Sequence, residues 1–100
     1  MNASDAAQPR QFTDDVEAGP GGAMTDEVGV ITGELTVITS LRPDGLAGIA
    51  VQYTDADEWY TLTGSPVPLP PDGLGALHQD VLGRIRRGDA AQAGPEPAGP

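Results

Sequence analysis

The chain has no cysteine, no lysine, one histidine and only four aromatic side chains. Without cysteine there is no disulfide framework, no thiolate nucleophile and no zinc site built on sulfur. Secreted domains of this size usually carry disulfides, so their lack fits a cytoplasmic protein. Positive charge is also scarce. Fifteen acids face five bases, all arginine, for a formal charge of −10. Such a surface repels phosphate backbones and anionic lipid, which argues against nucleic acid and membrane as partners. The first residues contain no apolar run long enough for a signal peptide or a membrane span.

One hundred residues accommodate a single domain. Residues 1–27 carry six acids, one base and few large apolar side chains. By composition they read as a disordered acidic tail, because little burial is available to offset ordering entropy. Residues 89–100 are mostly Ala, Gly, Pro and Gln and read as a second disordered tail. The domain is expected at 28–88. Within the first tail, Met24 follows Gly21-Gly22-Ala23. In GC-rich DNA such codons can spell a ribosome-binding site, so translation from Met24 is an alternative expectation to an ordinary tail.

Val28 to Leu41 alternates, with Ile31, Leu35, Val37 and Leu41 on one face and Thr32, Glu34, Thr36 and Ser40 on the other. Arg42-Pro43-Asp44-Gly45 is a turn: proline presets φ, and Gly45 tolerates the left-handed conformation of a bulge. This loop sets Leu41 opposite Ala47, Val37 opposite Val51 and Leu35 opposite Tyr53, so the apolar faces coincide. A second turn at Thr54-Asp55-Ala56-Asp57 sets Val51 opposite Tyr60 and Ile49 opposite Leu62. Trp59 then falls on the other face, across from Gln52.

The proline-rich stretch Gly64 to Pro71 excludes helix and central strand. Beyond it, Asp72 can cap a helix whose docking stripe is Leu74, Leu77, Val81, Leu82 and Ile85. Three arginines and Gly88 close it. The expected fold is α+β: a three-stranded antiparallel β-meander followed by one C-terminal helix (β-β-β-α), packed on the odd face of the first two strands. The first strand outruns its partner over 28–34, and its open edge could join another chain. With the marginal core of a domain this small, that predicts a homodimer.

Several side chains invite a chemical reading. Trp59, with Ile38, Thr61 and Gln52 on the second sheet face, is the candidate partner-binding surface, since large exposed apolar residues commonly mark contacts. His78 lies on the helix's docking stripe, between Leu74 and Val81. It is a possible ligand residue, but no acid or nucleophile stands at helical spacing to make it catalytic, and a packed histidine is the plainer reading. Asp55, Asp57 and Glu58 lack the spacing of a calcium loop and read as a solvated turn. Ser65 is not in a nucleophile elbow, and Gly19 to Gly22 lacks the lysine and following helix of a phosphate loop. Arg84, Arg86 and Arg87 fit a helix end, with Asp80 and Arg84 paired one turn apart. No catalytic residue, metal site or cofactor is expected.

The runs Thr32 to Val37, Gln52 to Thr54 and Glu58 to Pro68 resemble a group of small proteins of streptomycete-type actinobacteria with no assigned activity. The richness in Gly, Ala and Pro, with arginine in place of lysine, agrees with such a GC-rich source. The resemblance spans about 28–88 and implies no catalytic residues. The order β-β-β-α is also similar in topology to a double-stranded RNA-binding domain without its first helix, but Asp72 and Asp80 stand where lysines would be needed. The functional expectation is a non-enzymatic protein–protein interaction module, acting as an adaptor or regulator and as a homodimer. The alternative is a small-ligand site or modest enzyme at a dimer interface, around His78 with Glu34 or Asp57.

Overall fold

The alternation of Leu35, Val37, Thr39 and Leu41 with Glu34, Thr36, Ile38 and Ser40 builds the central strand of the sheet. In the computed structural model, which describes residues 9–94, the strands run in order as β1 (Gln11–Glu17), β2 (Ala23–Thr25), β3 (Gly29–Ile31), β4 (Glu34–Leu41), β5 (Leu46–Tyr53), β6 (Tyr60–Thr61) and β7 (Val67–Pro68). One helix, α1 (Leu74–Arg87), follows. β4 and β5 pair antiparallel, with Leu35 opposite Tyr53, Val37 opposite Val51 and Leu41 opposite Ala47. This is the register expected from the turn. Gly45 takes φ 86°, and the Arg42 N–H donates to the Leu46 carbonyl, closing the bulged loop. β5 and β6 keep Val51 opposite Tyr60, also as expected. Leu35, Val37, Ile49, Val51 and Leu62 are all buried.

The architecture is α+β with an antiparallel sheet and one C-terminal helix, but it is not a three-stranded meander. The sheet order is β1-β4-β5-β6, with β7 against the other end of β5, and β2-β3 form a separate hairpin. Two of the additional strands, β1 and β2, come from the expected acidic tail. β1 pairs with β4 along its whole length, from Gln11 opposite Ser40 to Glu17 opposite Glu34. Its acids had hidden a two-residue period in which Phe12, Asp14 and Val16 face inward. The β4 edge expected to recruit another chain is therefore taken by the chain's own β1. Residues 28–34 are not the free half of one long strand either. Gly33, at φ 89°, breaks it, and Gly29–Ile31 turns back on β2.

The second expected tail also begins inside the fold. Ala91 bridges Ala23, and the Ala93 N–H donates to the Thr63 carbonyl. Both alanines are buried. Residues 1–8 and 95–100 of the two expected tails lie outside the described residues.

α1 buries Leu74, Leu77, His78, Val81, Leu82 and Ile85, the expected stripe with His78 in it. It packs over β1 and β4 rather than over β4 and β5, because β1 occupies the place beside β4. Asp72 does not cap it. The N-cap is Gly73 at φ 95°, with no side-chain bond, since the turn after Pro70 carries the chain past Asp72 before the helix starts. At the other end Gly88 takes φ 84°. Residues 19–22 run alongside this terminus. Gly19 N–H caps the Ile85 carbonyl at 2.9 Å, and the Asp89, Ala90 and Ala91 N–H groups donate to Pro20, Gly21 and Gly22. A Cβ on Gly19 would stand 2.3 Å from the Arg86 carbonyl oxygen, so only glycine permits this approach. The run Gly19 to Gly22 thus serves a helix C-terminus.

Candidate functional site

The helix stripe carries one polar residue into the core, and β4 carries another to meet it. His78 is fully buried, and so is Thr39. The Thr39 hydroxyl lies 2.8 Å from His78 Nδ1. Asp14, delivered by β1, places Oδ2 2.8 Å from His78 Nε2. Phe12 stacks on the imidazole at 5.6 Å between ring centres. A carboxylate can only accept, so Nε2–H donates to Asp14, while the threonine hydroxyl can serve either protonation state of Nδ1. Among the described residues no buried side-chain polar atom is left without a partner. The order hydroxyl, imidazole, carboxylate is that of an acyl-transfer triad. Its would-be nucleophile, however, is sealed under α1 and the carboxylate is the exposed end. The arrangement is a polar clasp that holds β1, β4 and α1 together. Neither Glu34 nor Asp57 is the acid at His78.

Among the described residues the opposite face of the sheet is open. Cross-strand rows place Thr13 beside Ile38, Ala50 and Thr61, and Asp15 beside Thr36 and Gln52. Of the expected surface, Ile38, Gln52 and Thr61 therefore share this face, all half-buried. Ile38, Ala50 and Thr61 line a shallow depression walled by Arg42 and Pro66. Trp59 stands just before β6, 42% exposed, and its expected pairing with Gln52 is not formed, because the ladder stops at Tyr60.

Thr61 is not a free contact. Its N–H and its hydroxyl both donate to the Glu27 carboxylate, each at 2.7 Å. Asp26 accepts from the Thr63 hydroxyl at 2.8 Å. The β2–β3 turn is thereby fastened along β6. The paired donors on Thr61 hold the Glu27 carboxyl below the usual glutamate range. Desolvation, then the charge of Glu58, raises the Tyr60 phenol, whose O–H reaches that carboxylate at 3.3 Å. Asp44 is held low by Arg42 and then by the Leu46 N–H.

One corner of the open face is acidic. Glu17 and Glu34 are direct cross-strand partners, with Asp15 two residues along β1. All three are exposed. The bond from Ala18 N–H to the Gly33 carbonyl marks 18 and 33 as a hydrogen-bonded pair. The adjacent pair, Glu17 and Glu34, is then of the non-hydrogen-bonded kind, which brings side chains closer. No ion pair to either glutamate exists among the described residues.

Asp55, at φ 70°, sits in the turn after β5. Among the described residues no three His, Cys, Asp or Glu side chains converge on a metal position. The Ser65 hydroxyl accepts the Ile49 N–H at 2.8 Å and so braces the loop. Arg84 pairs with Asp80 at 2.9 Å, as expected, and also donates to the Gly94 carbonyl. No described helix is long and apolar enough to cross a membrane.

Asp14, Thr39, Glu17 and Glu27 were not among the residues the sequence singled out. Thr39 and His78 did carry a signal: each is a polar residue at an inward position of an otherwise apolar stripe, and the two belong to elements expected to pack together. No protein-family model, curated protein or solved structure matches the chain.

Proposed function

We propose that this protein is a non-enzymatic interaction module that binds another protein through the open sheet face, with Ile38 at its centre and Trp59 at its margin. The observation that carries this reading is the contrast between the two sides of the sheet. On the helix side, the one imidazole is buried with both nitrogens occupied, which keeps it from a substrate. On the other side, Ile38 sits half-buried in a shallow depression, and Trp59, a side chain rich in contact area, stands exposed just before β6. The alternative of a small-ligand site or enzyme around His78 would need the ring to reach a substrate.

Self-association through the same face is a second reading, favoured by the same exposed tryptophan. Capture from a lysate of the source organism, with wild type beside Trp59→Asp and Ile38→Glu, tests both once each protein is sized by light scattering. A partner held by wild type and lost in both variants, with circular dichroism unchanged, is the expected result. Equal capture by all three would overturn the proposal. Loss of a dimer alone would make the face a self-contact. A cytoplasmic location belongs to the same proposal.

A further inference from the structure

The interaction reading leaves the chemistry of the partner open, and the acidic corner narrows it. β1 ends the sheet order, so among the described residues one of its edges has no neighbouring strand. Because Arg10 and Ala18 exchange bonds with β4, the backbone groups of Gln11, Thr13, Asp15 and Glu17 point away from β4, to the free edge. Those same residues put their side chains on the open face. Among the described residues, one strip of β1 thus offers unpaired strand donors and acceptors together with two carboxylates spaced two residues apart, Asp15 also accepting the Thr36 hydroxyl at 2.6 Å. Glu34 on β4 stands directly beside Glu17.

Like charges directly opposite each other destabilise a ladder, and nothing within the described residues offsets this pair. Arg10 and Arg42 lie at the far end of β1 and β4, and Arg42 is already bound to Asp44 at 2.9 Å. Acids on an edge strand repel a second copy of the same edge. They attract a cationic one.

We infer that the free edge of β1 takes an extended, arginine-bearing segment of a partner protein, which adds as a strand and sets guanidinium groups against Asp15, Glu17 and Glu34. Arginine suits the site because its planar fork can bridge two neighbouring carboxylates, whereas lysine supplies a point charge. Strand addition supplies main-chain affinity, and side chains at alternate positions supply specificity. The inference rests on the interaction reading and extends its surface from Ile38 to the β1 edge.

The probe is a capped twelve-residue peptide of alternating arginine and threonine. Matched peptides carry lysine or glutamate in place of arginine. Binding to the full chain is followed by amide chemical shifts and hydrogen exchange at 50 and 200 mM salt. The expected result is saturable binding of the arginine peptide and weaker binding of the lysine peptide. The glutamate peptide does not bind. The amides of Gln11, Thr13, Asp15 and Glu17 shift and gain protection. The double variant E17Q/E34Q, which keeps the fold, weakens binding at least tenfold.

Absence of binding, equal binding by E17Q/E34Q, or shifts confined to α1 would each overturn the inference. Trp59→Asp separates it from the reading beneath it. If the lysate partner depends on Trp59 but the peptide does not bind, the cationic-strand inference fails and the interaction module stands. If the peptide binds but no lysate partner depends on Trp59, the edge remains the site and the Trp59 face does not.

Discussion

Asp14 Oδ2 lies 2.8 Å from His78 Nε2, across sixty-four residues of sequence, and the same ring meets Thr39 through its other nitrogen. This contact fastens the N-terminal strand to the C-terminal helix. Removing the ring should therefore cost more than its volume, because Thr39 is left buried with a lone hydroxyl. His78→Ala is expected to destabilise by about 2–5 kcal/mol, the cavity and the unpaired hydroxyl acting together. The double variant Thr39→Val/His78→Leu should be more stable than His78→Ala alone, since both polar ends are removed. Asp14 is half solvated, so Asp14→Asn, which can still accept from Nε2–H, should lose no more than about 1 kcal/mol. Urea titrations of the four proteins decide. If His78→Ala proves as mild as Asp14→Asn, the clasp contributes little.

The contribution of β1 can be tested by truncation. A chain that starts at Met24 lacks Phe12, Asp14 and Val16 and bares the β4 edge along seven residues. Such a chain is expected not to fold cooperatively, because a core this small has little stability to spare. A chain lacking only residues 1–8 keeps every described strand and should give a native amide spectrum. A cooperative, dispersed Met24 product would mean that the sheet tolerates an open β4.

What was legible in the sequence follows from where the signals are strong. The β4–β5–β6 register could be read because two independent sources agree: turn chemistry at Pro43 to Gly45, and the alternation of Leu35, Val37, Ile49 and Val51. The helix stripe could be read because five aliphatic residues recur at its spacing. β1 could not, because Asp14, Asp15 and Glu17 are charged and of low strand propensity, and its inward face mixes Phe12 and Val16 with an acid. That acid has a reason to face inward only once His78 is placed opposite it, and no local rule couples positions 14 and 78. The short β2–β3 hairpin was hidden for a similar reason. Its fastening depends on Glu27 reaching Thr61, a tertiary bond to what composition presents as a solvated acid.

Close backbone approach and positive φ should separate in glycine substitutions. At Gly19 an added Cβ meets the Arg86 carbonyl oxygen at 2.3 Å, and backbone cannot easily retreat. Gly45 has φ 86° but open space around it. Gly45→Ala is expected to cost about 1–2 kcal/mol of left-handed strain. Gly19→Ala should cost more, since it separates the 19–22 segment from the end of α1. Thermal melts would show the ranking, and hydrogen exchange should place the damage at residues 19–22 and 88–91. Equal melting temperatures would show that the loop can shift to make room.

Glu27 gives a pH dependence whose sign can be worked out. Its carboxyl is held below its ordinary value of 4.5 by the hydrogen bonds from Thr61. The unfolded chain therefore binds a proton at higher pH than the folded one, and stability rises with pH across that interval. The contribution is fully present above the ordinary value and is lost as pH falls through the folded one. Glu27→Gln should melt lower than wild type at pH 7, with the gap closing below about pH 4. A gap that stays constant through the acid range would mean the bonds to Thr61 do not distinguish the charged carboxylate.

Glu17 and Glu34 should behave in the opposite sense. They are exposed, directly opposed and without a counter-ion among the described residues. Neutralising one removes a repulsion and no bond to its carboxylate. Glu17→Gln is therefore expected to raise stability by about 0.2–1 kcal/mol, most clearly at low salt, where exposed charges are least screened. Most substitutions destabilise, so a gain on neutralising a wild-type side chain marks a position whose residue is not optimised for folding. The same variant should bind the arginine peptide more weakly. Higher stability with weaker binding would assign the pair to recognition. Lower stability would instead mean that Glu17 makes a favourable contact in solution, and the repulsion argument for the β1 edge would fall with it.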